Sequence, residues 1–174
     1  MHSPLRSFAA PLCAFALSLV APQAVAAQQA PSPTHTTLTS LAFLAGSCWK
    51  GTFPDNIATD EHCFTWMYDK KFLRDRHVVR NGKAPYEGET IYFMDLAARE
   101  LAYTYWSSDG DVMRGTVEAR GDSLIFPTRF DAPTGPVEIK AVWTRIGADR
   151  YRVWQAQKVG GEWKPLMTME LRRQ

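Results

Sequence analysis

Histidine is scarce in this chain of 174 residues. There are four, and two of them, His2 and His35, precede the first regularly patterned segment, which leaves His62 and His77 as the ordered pair. No G-x-S-x-G elbow, H-E-x-x-H helix or phosphate-cradling glycine loop occurs, which removes the usual serine hydrolases, zinc peptidases and P-loop enzymes. An excess of one charge is missing too. Lys and Arg number 20 against 18 Asp and Glu, too even a balance to draw a nucleic acid or an anionic membrane surface. Nor is there an apolar run of the ~20 residues that a spanning helix needs; the one candidate, 8–20, is interrupted at Pro11 and followed by Pro22. What is present is enough to build a core: hydrophobic residues make up 45% of the chain and aromatics 12%, over a length that suits one domain.

The start of the chain reads as an address rather than as fold. Arg6 precedes the apolar run, and Ala24-Val25-Ala26 is a small-x-small site of the kind signal peptidases cut. Residues 1–26 are therefore expected to be a signal peptide cleaved after Ala26, and the mature protein to be periplasmic or secreted without stable membrane insertion. Residues 27–37, polar and without period, read as a flexible linker. Cleavage would leave two cysteines, Cys48 and Cys63, and an oxidising compartment favours a disulfide between them. Two buried free thiols are the alternative, because spacing alone does not show that the sulfurs meet.

Order is expected over 38–174. Residues 39–46 read as one or two helical turns, with Thr39 or Ser40 as cap and Gly46 as stop. Beyond Gly46 the period changes to two, and turn residues arrive every few residues more than a strand length. Ten strands follow, over 48–53, 61–68, 72–80, 86–94, 101–107, 112–119, 123–130, 137–146, 151–159 and 163–172. Connections this short forbid parallel returns. The antiparallel meander that remains closes most simply into an up-and-down barrel, which also removes its exposed edges; a two-layer sandwich is the alternative.

The segment Leu41-Ala42-Phe43-Leu44-Ala45-Gly46-Ser47-Cys48-Trp49-Lys50-Gly51 resembles the L-x-x-L-x-G-x-W-x-G entry of lipocalin-like (calycin) domains, including the nitrobindin-like branch. Phe72-Leu73, Tyr86-Glu87-Gly88, Tyr92-Phe93-Met94-Asp95, Tyr105-Trp106-Ser107-Ser108-Asp109-Gly110 and Gly115 are similar to a bacterial branch of such small barrels. The resemblance implies an all-β barrel of about ten strands, a short N-terminal helix closing one end, Trp49 as a plug across that end, and a cup for a small, largely apolar molecule. In nitrobindin-like proteins the guest is haem, held by a histidine near the C-terminus. Residues 151–174 contain no histidine, so no cofactor is expected here.

Same-face spacing selects the candidate cup lining. Phe93, Tyr103, Tyr105, Trp143 and Gln155 are expected to contact a small apolar or amphipathic ligand. If Asp69-Lys70 is a two-residue turn, paired residues sum to 139 and His62 lies opposite His77; a three-residue loop would instead put Cys63 there. No third ligand is visible beside such a pair, so no metal site is assigned. In Asp60-Glu61-His62, Glu61 and His62 point to opposite faces and do not form a dyad. Arg74 and Arg76, with Glu87 and Glu89, read as an outer ladder of opposite charges. Three functions stay open: an exported small-molecule carrier, a protein-interaction or structural module with a filled barrel, and an enzyme with its site in the barrel mouth.

Overall fold

Alternation along each strand, broken where the backbone must turn back, dictates the architecture. The computed structural model describes residues 37–132 and 135–174; the expected signal peptide, its cleavage site and nearly all of the expected linker lie outside them. Ten strands run in sequence: β1 Ser47–Thr52, β2 Thr59–Met67, β3 Phe72–Arg80, β4 Tyr86–Asp95, β5 Glu100–Ser107, β6 Val112–Arg120, β7 Ser123–Ala132, β8 Gly135–Arg145, β9 Arg150–Val159 and β10 Glu162–Arg173. Each pairs antiparallel with its neighbours in sequence, and β1 pairs with β10 to close the barrel. The closure is the short ladder Trp49↔Arg173, Lys50↔Arg172 and Gly51↔Leu171. Gly51 permits it, because a Cβ there would stand 2.8 Å from the Glu170 carbonyl oxygen.

The expected N-terminal helix is corrected. Leu38–Leu41 is a single 3-10 turn flanked by Thr37, and neither Thr39 nor Ser40 caps it. The reason lies in the spacing. Leu38, Leu41 and Leu44 recur every three residues, the 3-10 repeat, and the bonds Leu44 N–H to Leu41 O and Ala45 N–H to Ala42 O continue it. Leu41 and Leu44 are thereby wholly buried. Gly46, at φ +75°, then turns the chain into β1.

Because strands alternate in direction, the 3-10 turn shares its end of the barrel with the β2–β3, β4–β5, β6–β7 and β8–β9 turns. That end is packed shut. Trp49 is wholly buried, donates its indole N–H to Leu44 O at 3.0 Å, and meets Phe43 and Tyr151 edge to face. The Arg173 guanidinium lies 4.5 Å from the Trp49 ring and bonds Ser47 Oγ and Phe43 O. Cys48 and Cys63, directly paired across β1 and β2, form a disulfide. Among the described residues, no helix is long and apolar enough to cross a membrane.

Candidate functional site: a polar wall in a hollow lumen

The half of the barrel away from Trp49 is hollow. A cavity of about 450 Å³ runs from Phe53 and Tyr86 inward past Tyr103, Tyr105, Phe126 and Ile139 to Trp143 and Met169. Its lining includes no Lys or Arg, yet it does include Asp60, His62, Asp75 and His77.

Register brings these four together. β2 and β3 pair with His62 opposite His77, Asp60 opposite Val79 and Asp75 opposite Phe64. Asp60 and His62 are two positions apart, as are Asp75 and His77, so all four side chains point to the same, inner face. The neighbouring strand makes room for them. Gly88 on β4 pairs with His77, and a Cβ on it would stand 2.5 Å from both His77 Nε2 and the Tyr105 ring. Only glycine lets imidazole and phenol meet there.

The resulting hydrogen bonds form one continuous run. Asp75 Oδ2 lies 2.8 Å from His62 Nδ1, and His62 Nε2 lies 3.1 Å from Asp60 Oδ2. Asp60 Oδ1 lies 3.2 Å from His77 Nδ1, His77 Nε2 lies 3.2 Å from the Tyr105 hydroxyl, and that hydroxyl meets the hydroxyl of Tyr86. The direction of the protons follows from the partners. An ionised carboxylate only accepts, so both His62 nitrogens donate, and His77 carries its proton on Nδ1. His77 Nε2 and the Tyr105 and Tyr86 hydroxyls continue the run beyond it.

Burial opposes charge on His62, but Asp75 and Asp60 on either side overcome it and hold the imidazolium pKa up to about 10. Burial likewise works against ionised Asp60, whose hydrogen bonds from His62 and His77 nevertheless keep it well below the usual carboxylate range. Burial and the Tyr86 hydroxyl push Tyr105 far above an ordinary phenol. The cluster is therefore a buried imidazolium between two carboxylates, continued by the His77 ring and two phenols toward the open end.

The opposite wall is aromatic. Trp143 packs on Phe126 with ring centres 4.6 Å apart and on His62 at 5.7 Å, while Tyr103 donates or accepts a 2.5 Å bond with Thr128. Of the residues singled out from sequence, Tyr103, Tyr105, Trp143 and Gln155 lie on the cavity. Phe93 does not. It is on the outer face against Phe72, and its neighbour Tyr92 points inward instead. In β4 both faces carry rings, so aromatic spacing alone does not choose between them, and a shift of one residue exchanges the faces. Glu87 and Glu89 share the face of Phe93 and mark it as outer: they pair with Arg76 and Arg74 in half-exposed ion pairs.

No third donor is expected from sequence beside His62 and His77. A third donor does stand beside the histidine pair, and it is Asp60: one ligand atom each from Asp60, His62 and His77 lies within 4.8 Å of the others. The signal was present in the sequence as two Asp-x-His triplets whose histidines the register sets opposite each other.

Neither a family model nor a curated protein matches the chain. Among solved structures it is similar to that of Rv2717c from M. tuberculosis, at 17% identity and a TM-score of 0.51, over 79% of this chain and 96% of that one. This likeness extends to the fold, a closed ten-stranded antiparallel barrel.

Proposed function

We propose that the protein is an exported calycin-like barrel that acts on a small molecule at a polar site in its lumen, with the guest's apolar part on Trp143, Phe126 and Tyr103 and its polar group at His77 and Tyr105. The observation that carries this reading is the unbroken hydrogen-bonded run from Asp75 to Tyr86 along one wall of the cavity. Burying four ionisable groups is costly, and an apolar guest alone would have no use for them. The cluster thus favours an enzyme with its site in the barrel over a passive carrier. His77, between the Asp60 carboxylate and the Tyr105 hydroxyl, is placed to exchange a proton with a bound molecule. A filled structural barrel is disfavoured by the cavity itself.

A carrier of apolar molecules is the second reading, supported by the aromatic wall. A neutral amphipathic dye separates the two. Under the proposed function the parent protein binds it saturably, and His77→Gln weakens binding at least as much as Trp143→Ala. Loss confined to Trp143→Ala would favour the carrier, and no saturable binding by the folded parent would reject both.

A further inference from the structure

Two histidines and a carboxylate that share one wall of an open cavity are a donor set for a metal ion, and the surroundings of these three complete it. We propose that Asp60, His62 and His77 bind one divalent transition-metal ion of the zinc or ferrous class, with its remaining coordination positions turned to the cavity. Three features of the site lead there.

The donor atoms are already gathered. One ligand atom each from Asp60, His62 and His77 lies within 4.8 Å of the others, and His62 Nε2 and His77 Nδ1 both hydrogen-bond the Asp60 carboxylate, at 3.1 and 3.2 Å. An ion would take the place of the protons on those two nitrogens. His62 would release its Nε2 proton to solvent, and the proton of His77 would move to Nε2.

The far nitrogen of each ring already has the partner that metal-bound imidazoles have. His62 Nδ1 is held by Asp75 at 2.8 Å, and His77 Nε2 faces the Tyr105 hydroxyl at 3.2 Å. Such outer partners fix ring orientation and raise the basicity of the ligating nitrogen. With both in place, each ring presents its other nitrogen to the same point.

The site is also short of positive charge. Asp60 and Asp75 are 6% and 2% exposed, no Lys or Arg lines the cavity, and Asp75 Oδ1 is buried without a hydrogen-bond partner. Two carboxylates and two neutral imidazoles carry the charge that one divalent ion cancels. Two imidazoles among three donors select a transition metal over magnesium or calcium, which prefer all-oxygen sites. Two histidines and one carboxylate with open positions are the arrangement that leaves such an ion free to hold water or a guest.

The ion's site rests on the polar-site reading, but its test needs no guest, and dye binding is measured separately on chelator-treated protein, so the two fail independently. Full-chain protein stripped with a chelator is titrated calorimetrically with Zn²⁺. The expected result is one ion per chain. His77→Gln and Asp60→Asn should each weaken uptake by more than ~100-fold, Asp75→Asn by ~10- to 100-fold as for loss of an outer partner, and Glu87→Gln, on the outer face, should leave it unchanged. Absence of saturable uptake by the folded parent would overturn the proposal, as would uptake unaltered in His77→Gln and Asp60→Asn. Should those variants fail to fold, Co²⁺ bound to the parent decides: intense ligand-field absorption of a low-symmetry site with nitrogen donors supports the proposal, and the faint spectrum of the aquo ion rejects it.

Discussion

The two ends of this barrel solve opposite problems with the same alternating strands. At the end closed by the 3-10 turn, Leu41, Leu44, Trp49, Tyr151 and Leu171 are wholly buried, and Phe43, Trp49 and Tyr151 meet edge to face. Toward the other end the same inner face carries Asp60, His62, Asp75 and His77 on a cavity that side chains leave unfilled. A small domain has few kilocalories to spare, and buried ionisable groups draw on them. Packing concentrated at one end therefore allows a polar and hollow half at the other. Apolar packing and ionisable groups are segregated along the barrel axis.

The largest effect expected from breaking this division is at the plug. Trp49→Ala should cost ~3 to 5 kcal/mol, the usual loss for a buried ring of this size, and should shift the denaturant midpoint while the folded fraction keeps its dye affinity. The disulfide belongs to the same scaffold. Cys48→Ala should cost about 3 kcal/mol for a loop of this length, and thiol titration of unfolded, unreduced protein should find no reactive thiol among Cys48 and Cys63.

On the polar side, Gly88→Ala inserts a methyl where His77 and Tyr105 now lie. Overpacking of this kind costs ~1 to 3 kcal/mol, and here it should reduce dye affinity more than Trp49→Ala does. Alkali sharpens the contrast further. His62 has its pKa raised from 6.5 to about 10 by the flanking carboxylates, so the folded state keeps a proton that the unfolded chain loses. Its contribution is full below about pH 6.5 and is lost progressively as the pH rises to about 10. Denaturant midpoints of chelator-treated protein should fall across that range, and His62→Gln, but not Trp49→Ala, should remove the part of the slope that this group supplies. The smallest effect is expected from Phe93→Ala, which trims the outer face and should leave dye affinity unaltered.

Much of this division was legible before the structure. Residues 72–80 end at Asn81-Gly82, the turn that the sequence offers, so β3 is bounded there as expected. The turn at Asp69-Lys70 is symmetric about its centre, and the pairing sum of 139 therefore holds even though Tyr68, Asp69 and Lys70 all adopt positive φ. The role of Trp49 as a plug is what the resemblance of residues 41–51 to the calycin entry implies, and the ring is wholly buried at that end. Phe93 was misplaced because Tyr92 and Phe93 offer rings to both faces, and hydrophobicity there carries no period. Asp60 is missed because Glu61, the immediate neighbour of His62, draws the comparison, and Asp75 because nothing local ties it to His62, whereas on a strand the partner on the same face is two residues away. The contact of Tyr86 with Tyr105 joins residues brought together only by the pairing of β3, β4 and β5, which no local spacing reveals.

The segregation of scaffold from site is tested most directly by measuring dye affinity and denaturant midpoint together on His77→Gln and Trp49→Ala. His77→Gln should lose affinity and keep a midpoint close to that of the parent, while Trp49→Ala should keep affinity below its own unfolding transition and lose the midpoint. Affinity unchanged in His77→Gln, or affinity lost in step with stability in Trp49→Ala, would contradict the account.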